Sequence, residues 1–241
     1  MTVRYLIKFS KESEIKFISH LDLMKTIMRM INRADLPINH SKGFNPHMDV
    51  SIAQPLSVGM YSSGEYADIV LNAEIGADEV KARLIESSPV GIKILDVQII
   101  DESHDKKYKQ SMALIDGAKY LIKIKYDDTH LLKSEIQNMF LDEEWNIIKK
   151  SKNGEKEVNL KPLVINFDYI IDEQVKILII TTVVYCGSKA NLSADLLSRY
   201  IKEHTSSVSV DLFTDIKREE MYAFDDNKKL LPLNEFVIDV F

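Results

Sequence analysis

The apolar positions in the first part of the chain change between two periods, and these changes mark the elements of a folded domain. Residues 3–9 alternate apolar and polar side chains, which is typical of a half-buried strand. From Ser19, a good N-cap, to about Ala34 the apolar residues recur at helical spacing. The same patterns predict further elements in chain order: strands at 50–53 and 65–71, a helix at 76–88 and a strand at 92–100. This order predicts a ferredoxin-like domain.

The second half repeats the order of elements less regularly. Asn153-Gly154 is a strong turn signal and predicts an inserted hairpin. Strands are predicted at 118–126, 145–148, 157–160, 164–171, 175–185 and 208–212, and helices from a cap at 127–129 to Phe140 and from Asn191 or Ser193 to Ile201. We therefore predict an α+β fold with two tandem ferredoxin-like (βαββαβ) units, each with an antiparallel sheet.

A charged segment, residues 101–110, separates the two predicted units and is typical of a linker. The predicted division is an N-terminal ferredoxin-like domain at 1–103, a linker at 104–116, and a C-terminal ferredoxin-like domain with the inserted hairpin at 117–241.

Turn-forming residues are concentrated between Leu36 and Tyr66, and this stretch resembles neither a regular helix nor a regular strand. It holds three of the six prolines, together with Gly43, Gly59 and Gly64. Shaped loops on a rigid scaffold are where binding residues concentrate, so we expect the working surface here.

Within this loop, five residues combine chemistry that suits a phosphate and a base. Gly43 can expose backbone N–H groups, Lys42 is a cation and Phe44 offers a flat stacking face. Asn45 and His47 supply directional hydrogen bonds. The alternative is a tight turn in which Phe44 fills the core and Asn45 only forms the turn.

The first predicted helix adds a basic ridge opposite its apolar face. Lys25, Arg29 and Arg33 recur at a spacing of four residues and are candidate ligand-binding residues. The alternative is an ordinary solvated face.

Three histidines are the candidate catalytic residues. His20 lies at the start of the first helix, and His40 and His47 lie in the loop. Histidine is the usual acid–base group near neutral pH, but the spacing matches no specific metal or catalytic motif, and a structural role is the alternative.

Composition restricts the classes of protein that are possible. The formal net charge is −6, but residues 1–60 contain eight Lys/Arg against five Asp/Glu, so any nucleic-acid site is expected in this part. No apolar run is long enough for a membrane helix and no signal peptide is recognised, so we expect a cytoplasmic protein that does not bind membranes. The single cysteine, Cys186, excludes an internal disulfide and a cysteine cluster, and no cofactor or metal is expected in this chain.

Three blocks resemble the N-terminal signature of the radical-SAM-linked family of proteins of unknown function. They are an SHLD motif opening a helix (Ser19–Asp22), a GFNPH loop (Gly43–His47) and a PLSVG…S…EY segment (Pro55–Tyr66). The later stretches VNLKPLV and GSKANLSADLL resemble that family loosely. Because the chain lacks the three-cysteine cluster of a radical SAM enzyme, the resemblance implies a partner of such an enzyme.

Three functions are compatible with these residues. The leading hypothesis is a non-catalytic accessory protein that recognises RNA or a nucleotide-like ligand beside a radical SAM protein. The first alternative is an RNA-processing enzyme that uses histidine acid–base catalysis. The second alternative is a protein-only scaffold that docks the radical SAM subunit.

Overall fold

The computed structural model describes residues 2–100, 110–151 and 154–239. The fold class is α+β, as predicted, and the described strands include a small separate two-stranded hairpin. The chain divides into two compact units, Met1–Asp116 with Arg218–Phe241 and Gly117–Lys217. Residues 218–241 thus cluster with the first unit, whereas the sequence-based division places them in the second.

Strands outnumber helices in the described part of the chain. In chain order, the strands are β1 (Val3–Lys11), β2 (Val50–Ile52), β3 (Tyr61–Leu71), β4 (Ile92–Ile100), β5 (Gly117–Lys125), β6 (Asn146–Ser151), β7 (Gly154–Asn159), β8 (Val164–Asp172), β9 (Ile177–Tyr185), β10 (Asp215–Phe224) and β11 (Leu230–Pro232). The helices are α1 (His20–Arg33), α2 (Ala77–Ser87), α3 (Ser111–Leu114), α4 (Leu132–Leu141), α5 (Ala194–Glu203) and α6 (Leu233–Asp239).

In the first unit, β1 lies between β4 and β3 and pairs antiparallel with both. The short β2 pairs antiparallel with one end of β3, and β10 is the next strand in the sheet order after β3. The six elements from β1 to β4 therefore follow the predicted order of strand, helix, strand, strand, helix, strand. What the periodicity does not predict is the return of the chain to this unit through β10.

The core of the first unit forms where α1 and α2 cover one face of this sheet. Tyr5, Ile7 and Phe9 alternate on β1, and their buried face meets buried apolar residues of both helices. The α1 residues in this core are Leu23, Ile27, Met30 and Ile31. Each fully buried side chain of this size contributes about 1.5 to 3 kcal/mol, so the apolar stripe holds α1 on the sheet.

An ion pair buried in the first unit connects β10 to β3. The Arg218 guanidinium donates from Nε to Glu65 Oε1 at 2.9 Å and from Nη2 to Glu65 Oε2 at 2.5 Å. The side chains are 1% and 0% exposed. At Gly64 an added Cβ would lie 2.6 Å from Glu219 O, so only glycine permits this approach of the two strands.

The predicted linker does not run free over its whole length. Its residues 104–109 lie outside the described residues, but Ser111–Leu114 form α3. The Ser111 backbone N–H and hydroxyl both donate to Asp68 Oδ2, at 2.9 and 2.5 Å. The end of this segment is thus fastened to β3.

In the second unit, β9 lies between β5 and β8 and pairs antiparallel with both. The inserted hairpin is confirmed as β6 and β7, although Asn153 of its predicted turn lies outside the described residues. Phe140, Trp145, Phe167 and Tyr200 form an aromatic cluster in this unit, with ring centroids 5.1 to 6.0 Å apart.

The predicted closing strand at 208–212 is wrong. Val208 forms only an isolated bridge with Tyr126, and Val210 and Leu212 are 90% and 57% exposed. The alternation is real, but its apolar side chains face solvent because pairing stops where β5 ends. The next strand is β10, from Asp215.

We expect Glu65→Ala to lower the free energy of unfolding by about 3 to 5 kcal/mol, because it leaves the Arg218 charge buried without its partner. Urea unfolding followed by circular dichroism measures the loss. The matched control is Glu79→Ala, which removes an exposed ion pair with Arg83 on α2 and should cost less than about 1 kcal/mol. Equal losses in both variants would contradict a structural role for the buried pair.

Candidate nucleic-acid interface

The GFNPH loop is the tip of a small hairpin-like segment rooted on β3. Asn39 N donates to Val70 O at 2.7 Å, Val70 N donates to Asp49 O at 3.1 Å, and Asp49 N donates to Asn39 O at 2.9 Å. Further out, Ser41 N donates to His47 O at 2.8 Å and His47 N donates to Ser41 Oγ at 3.0 Å. These bonds fix both ends of the loop to the sheet of the first unit.

The tip of this loop presents its side chains to solvent. Phe44 is fully exposed, so the interpretation of Phe44 as a core residue is wrong. Lys42, Asn45 and His47 are exposed as well. Gly43 has φ +152°, which favours glycine, and an added Cβ would meet nothing within 4 Å, so its backbone can be approached freely. The ring of Phe44 is therefore accessible to a ligand or to another protein.

The three candidate histidines occupy two different settings. His40 forms an isolated β-bridge with Met48, the residue after His47. His40 and His47 therefore both lie in the loop. His20 begins α1, and its Nδ1 is buried without a hydrogen-bond partner among the described atoms. Within the described ranges no group of three or more His, Cys, Asp or Glu could hold a metal ion.

The SHLD motif is a helix cap. Asp22 N donates to Ser19 Oγ at 3.2 Å, and Ser19 Oγ donates to Asp22 Oδ2 at 2.7 Å. Ser19 satisfies an otherwise unpaired N–H group, and Asp22 adds negative charge at the positive end of the helix. These two side chains thus position His20 at the first turn of α1.

The basic ridge of α1 is divided between two roles. Lys25 and Arg29 are exposed. Arg33 donates from Nη2 to Ser87 O at 2.7 Å and from Nε at 3.3 Å, which satisfies a carbonyl at the end of α2. Arg33 is therefore engaged in a structural contact, whereas Lys25 and Arg29 present their charges to solvent.

Beneath the Pro55–Tyr66 block lies the buried charge cluster of Lys11, Glu65 and Arg218. Besides its pair with Glu65, Arg218 donates from Nη2 to Gln54 O at 2.7 Å. Lys11 Nζ donates to Lys16 O at 3.1 Å and to Ile18 O at 3.4 Å, just before the SHLD motif. The pKa of the Lys11 ammonium is lowered, chiefly because the group is buried. The nearby Glu65 carboxylate opposes this by raising the pKa, and the Arg218 charge lowers it further. The cluster holds the backbone that leads into both blocks.

A second polar cluster is built around Tyr66. Its hydroxyl lies 2.7 Å from Glu220 Oε1 and 2.7 Å from Asn234 Oδ1. Lys8 Nζ pairs with Glu220 Oε2 at 2.5 Å, and Asn234 Nδ2 donates to Asp96 Oδ2 at 3.2 Å. Burial, and next the Glu220 carboxylate, strongly raise the pKa of the Tyr66 phenol.

Sequence reasoning missed an exposed apolar patch near the start of α1, formed by Phe17, Leu21 and Val58. These side chains are 65%, 68% and 59% exposed. Gly59 N donates to Lys16 O at 2.9 Å, which places the segment after Val58 against this turn. Single apolar residues within mixed sequence carry no signal that they are exposed, so only the fold shows this patch.

The comparisons with known proteins bear on family and fold. Residues 4–194 match a family described as "Uncharacterized protein conserved in bacteria (DUF2344)". The chain belongs to the DUF2344 family. The matched range contains α1, the GFNPH loop and β3 of this DUF2344 chain, while Arg218 lies beyond it. No match was found among curated proteins.

A chain in a solved structure titled "Crystal Structure of a Cbf5-Nop10-Gar1 Complex" is similar in fold. The TM-score is 0.51 at 12% sequence identity, over 97% of this chain and 54% of that chain. The DUF2344 chain therefore spans about half the length of that chain. At this identity the likeness concerns the fold alone. None of the described helices is long and apolar enough to span a membrane.

We expect the stability difference between the wild type and Tyr66→Phe to shrink as the pH rises above about 10. In the folded protein the Tyr66 phenol keeps its proton, because its pKa is raised, whereas in the unfolded chain it ionises near its ordinary pKa. The wild type therefore loses up to about 1.4 kcal/mol per pH unit there that the variant does not lose. Urea unfolding at a series of pH values measures this, and a pH-independent difference would contradict it.

Proposed function

We propose that this protein is a non-catalytic recognition subunit that binds single-stranded RNA or a nucleotide-like ligand through its GFNPH loop. The observation that carries the proposal is the complete exposure of Phe44 at the tip of a loop tied to β3. An exposed aromatic ring on a fixed loop suits stacking on an unpaired base.

The neighbours of Phe44 supply the other contacts that a nucleotide needs. Lys42 offers a cation to a phosphate, and the open backbone at Gly43 lets a phosphate approach the chain. Asn45 and His47 are exposed and can hydrogen-bond to base edges or to the 2′-hydroxyl. The hydrogen bonds at the base of the loop reduce the ordering cost of binding.

Charge supports local rather than general binding of nucleic acid. The net charge of −6 opposes coating of RNA by bulk attraction, but residues 1–60 carry an excess of cations. Lys25 and Arg29 are exposed on α1 and would add phosphate contacts. We therefore propose modest affinity that depends on salt concentration.

A radical SAM protein is the proposed partner, on the strength of the family resemblance of the SHLD, GFNPH and PLSVG blocks. The chain has one cysteine, Cys186, and it is buried, so the three thiolates of an iron–sulfur cluster would come from the partner. In this division of labour the partner performs the chemistry and this chain presents the substrate.

The scaffold proposed for this role is ferredoxin-like in both units. In the first unit the sheet order β4-β1-β3 with β2 beside β3 suits that architecture. So do the two helical connections, α1 between β1 and β2 and α2 between β3 and β4. In the second unit the order β5-β9-β8 with α4 and α5 is compatible with a modified version of it. The fold supports RNA recognition by analogy only.

A second candidate function is protein docking through the patch of Phe17, Leu21 and Val58. Three exposed apolar side chains, two of them next to the hydrogen bond from Gly59 N to Lys16 O, favour a protein partner. Under this candidate the patch would contact the radical SAM subunit, and the GFNPH loop would have no role in binding RNA.

We expect Phe44→Ala to weaken binding of a fluorescein-labelled single-stranded RNA of mixed sequence, measured by anisotropy. Loss of one stacked base corresponds to about 1 to 3 kcal/mol, or about 5-fold to 150-fold in Kd. The matched control is Phe213→Ala, which removes a phenylalanine of the second unit that is 94% exposed and should leave Kd unchanged. RNA binding that is unaffected by Phe44→Ala, or absent in the wild type with and without its partner, would refute the proposal.

We expect Lys42→Ala to reduce the slope of log K against log salt concentration by about 1, because one phosphate contact is lost. Arg29→Ala should act in the same way, whereas Arg33→Ala should leave the slope unchanged because Arg33 is bound to Ser87 O. Titrations at several salt concentrations measure these slopes.

Electrophoresis of the RNA after incubation tests the catalytic alternative: cleavage that is lost in His20→Ala, His40→Ala or His47→Ala would replace the non-catalytic proposal.

A further inference from the structure

The outer edge of β8, at the end of the β5-β9-β8 sheet in the second unit, is an unoccupied strand position. From Asn166 to Asp172 the inner edge of β8 pairs with β9 without a shift in register. No other strand within the described ranges pairs with its outer edge. An edge of this kind presents a row of backbone N–H and C=O groups that can accept another strand.

The sequence of β8 lacks the features that usually prevent such pairing. Its nine residues, VINFDYIID, contain no proline and no lysine. The edge strand of the first unit, β4, carries Lys93, which pairs with Glu12 at 3.1 Å. Both edge strands have one shift in register, which lies between Val164 and Asn166 in β8 and beside Lys8 and Phe9 of β1 in the pairing of β4, so the lysine is the difference between them. β8 is therefore the less protected edge.

The two faces of β8 differ, and this difference fixes how an added strand would lie. On one face of the sheet, the ring of Phe167 contacts the rings of Phe140 and Trp145, with centroids 5.1 and 6.0 Å away. On the opposite face of the sheet, Asp168 is exposed and Ile170 is 68% exposed. Ile170 lies opposite Ile179 of β9 in the register of the sheet. On this side of the strand Asn166, Asp168, Ile170 and Asp172 follow one another, so Ile170 is an apolar position between two acids.

Asp168 is the acid of this row that remains for a partner. Asp172 is already engaged, because its Oδ1 accepts from Gln174 N at 3.1 Å and from Val175 N at 3.2 Å in the turn to β9. Asp168 has no such contact in the turn and lies in the middle of the regularly paired stretch. A neighbouring strand therefore meets one acidic and one apolar position, Asp168 and Ile170.

We propose that the outer edge of β8 binds an extended segment of a partner protein as an added strand. That segment places a lysine or arginine opposite Asp168 and an aliphatic residue opposite Ile170. Charge complementarity selects this occupant, because opposite charges directly across two strands stabilise the pair. A second copy of this chain is disfavoured: β8 contains no lysine or arginine, so its own β8 offers Asp168 no opposite charge in any register. The surface belongs to the second unit, whereas the proposed RNA loop belongs to the first.

The test uses the full chain and a synthetic extended peptide as the probe. The peptide has the length of β8 and consists of threonines, with one lysine and one valine spaced to meet Asp168 and Ile170. A matched peptide carries glutamate in place of the lysine. Binding is measured by anisotropy of the labelled peptides. Hydrogen exchange of the β8 amides is measured in parallel, because strand addition protects backbone N–H groups and simple charge attraction does not.

The lysine peptide should bind about tenfold more tightly than the glutamate peptide and should slow exchange of the β8 amides. Asp168→Lys should reverse this preference, and an unchanged urea midpoint should show that the variant is folded. The matched control is Asp195→Lys, a charge reversal in the first turn of α5 and not on β8, which should not alter the preference. The proposal is overturned if neither peptide protects β8, if Asp168→Lys leaves the preference unchanged, or if the free protein is a dimer whose β8 amides are already protected.

Discussion

The pair between Arg218 and Glu65 is the interaction on which the first unit and its candidate site depend. Two charges that are both out of contact with water are tolerated only when each satisfies the other, and here the bidentate geometry achieves this. The same guanidinium holds Gln54 O, and the neighbouring Lys11 holds the backbone before α1. The two blocks that flank the GFNPH loop are therefore positioned by a single set of buried charges.

This arrangement separates the parts of the site by their physical role. Ser19 and Asp22 cap a helix, and Glu65 forms an ion pair. These three residues therefore have structural roles, although the motifs that contain them look like functional signatures. The residues that remain available to a ligand are those at the loop tip, Phe44 above all, and the exposed cations of α1. Rigidity beneath and exposed chemistry above is the usual construction of a recognition surface.

Elements with strong periodicity could be predicted from the sequence, and contacts between distant residues could not. The alternation in β1, the cap and stripe of α1, and the turn of the β6–β7 hairpin each depend on neighbouring residues. The same reasoning failed at Val210 and Leu212, because alternation does not reveal whether a partner strand is present. The burial of Arg218 could not be predicted, because a single arginine in an alternating strand normally faces water. The exposure of Phe44 and the structural use of Arg33 were likewise matters of tertiary structure.

The return of β10 to the first unit has a consequence for how the protein is made. The first unit combines residues 1–116 with residues 218–241, so it is discontinuous, whereas the second unit, 117–217, is one uninterrupted segment. During synthesis Glu65 leaves the ribosome long before Arg218 exists to neutralise it. The second unit can complete its contacts first, and the N-terminal half must wait for the C-terminal residues. A chain that ends or is cut before Arg218 would therefore leave the buried Glu65 without its partner, and the GFNPH loop would be attached to a destabilised unit.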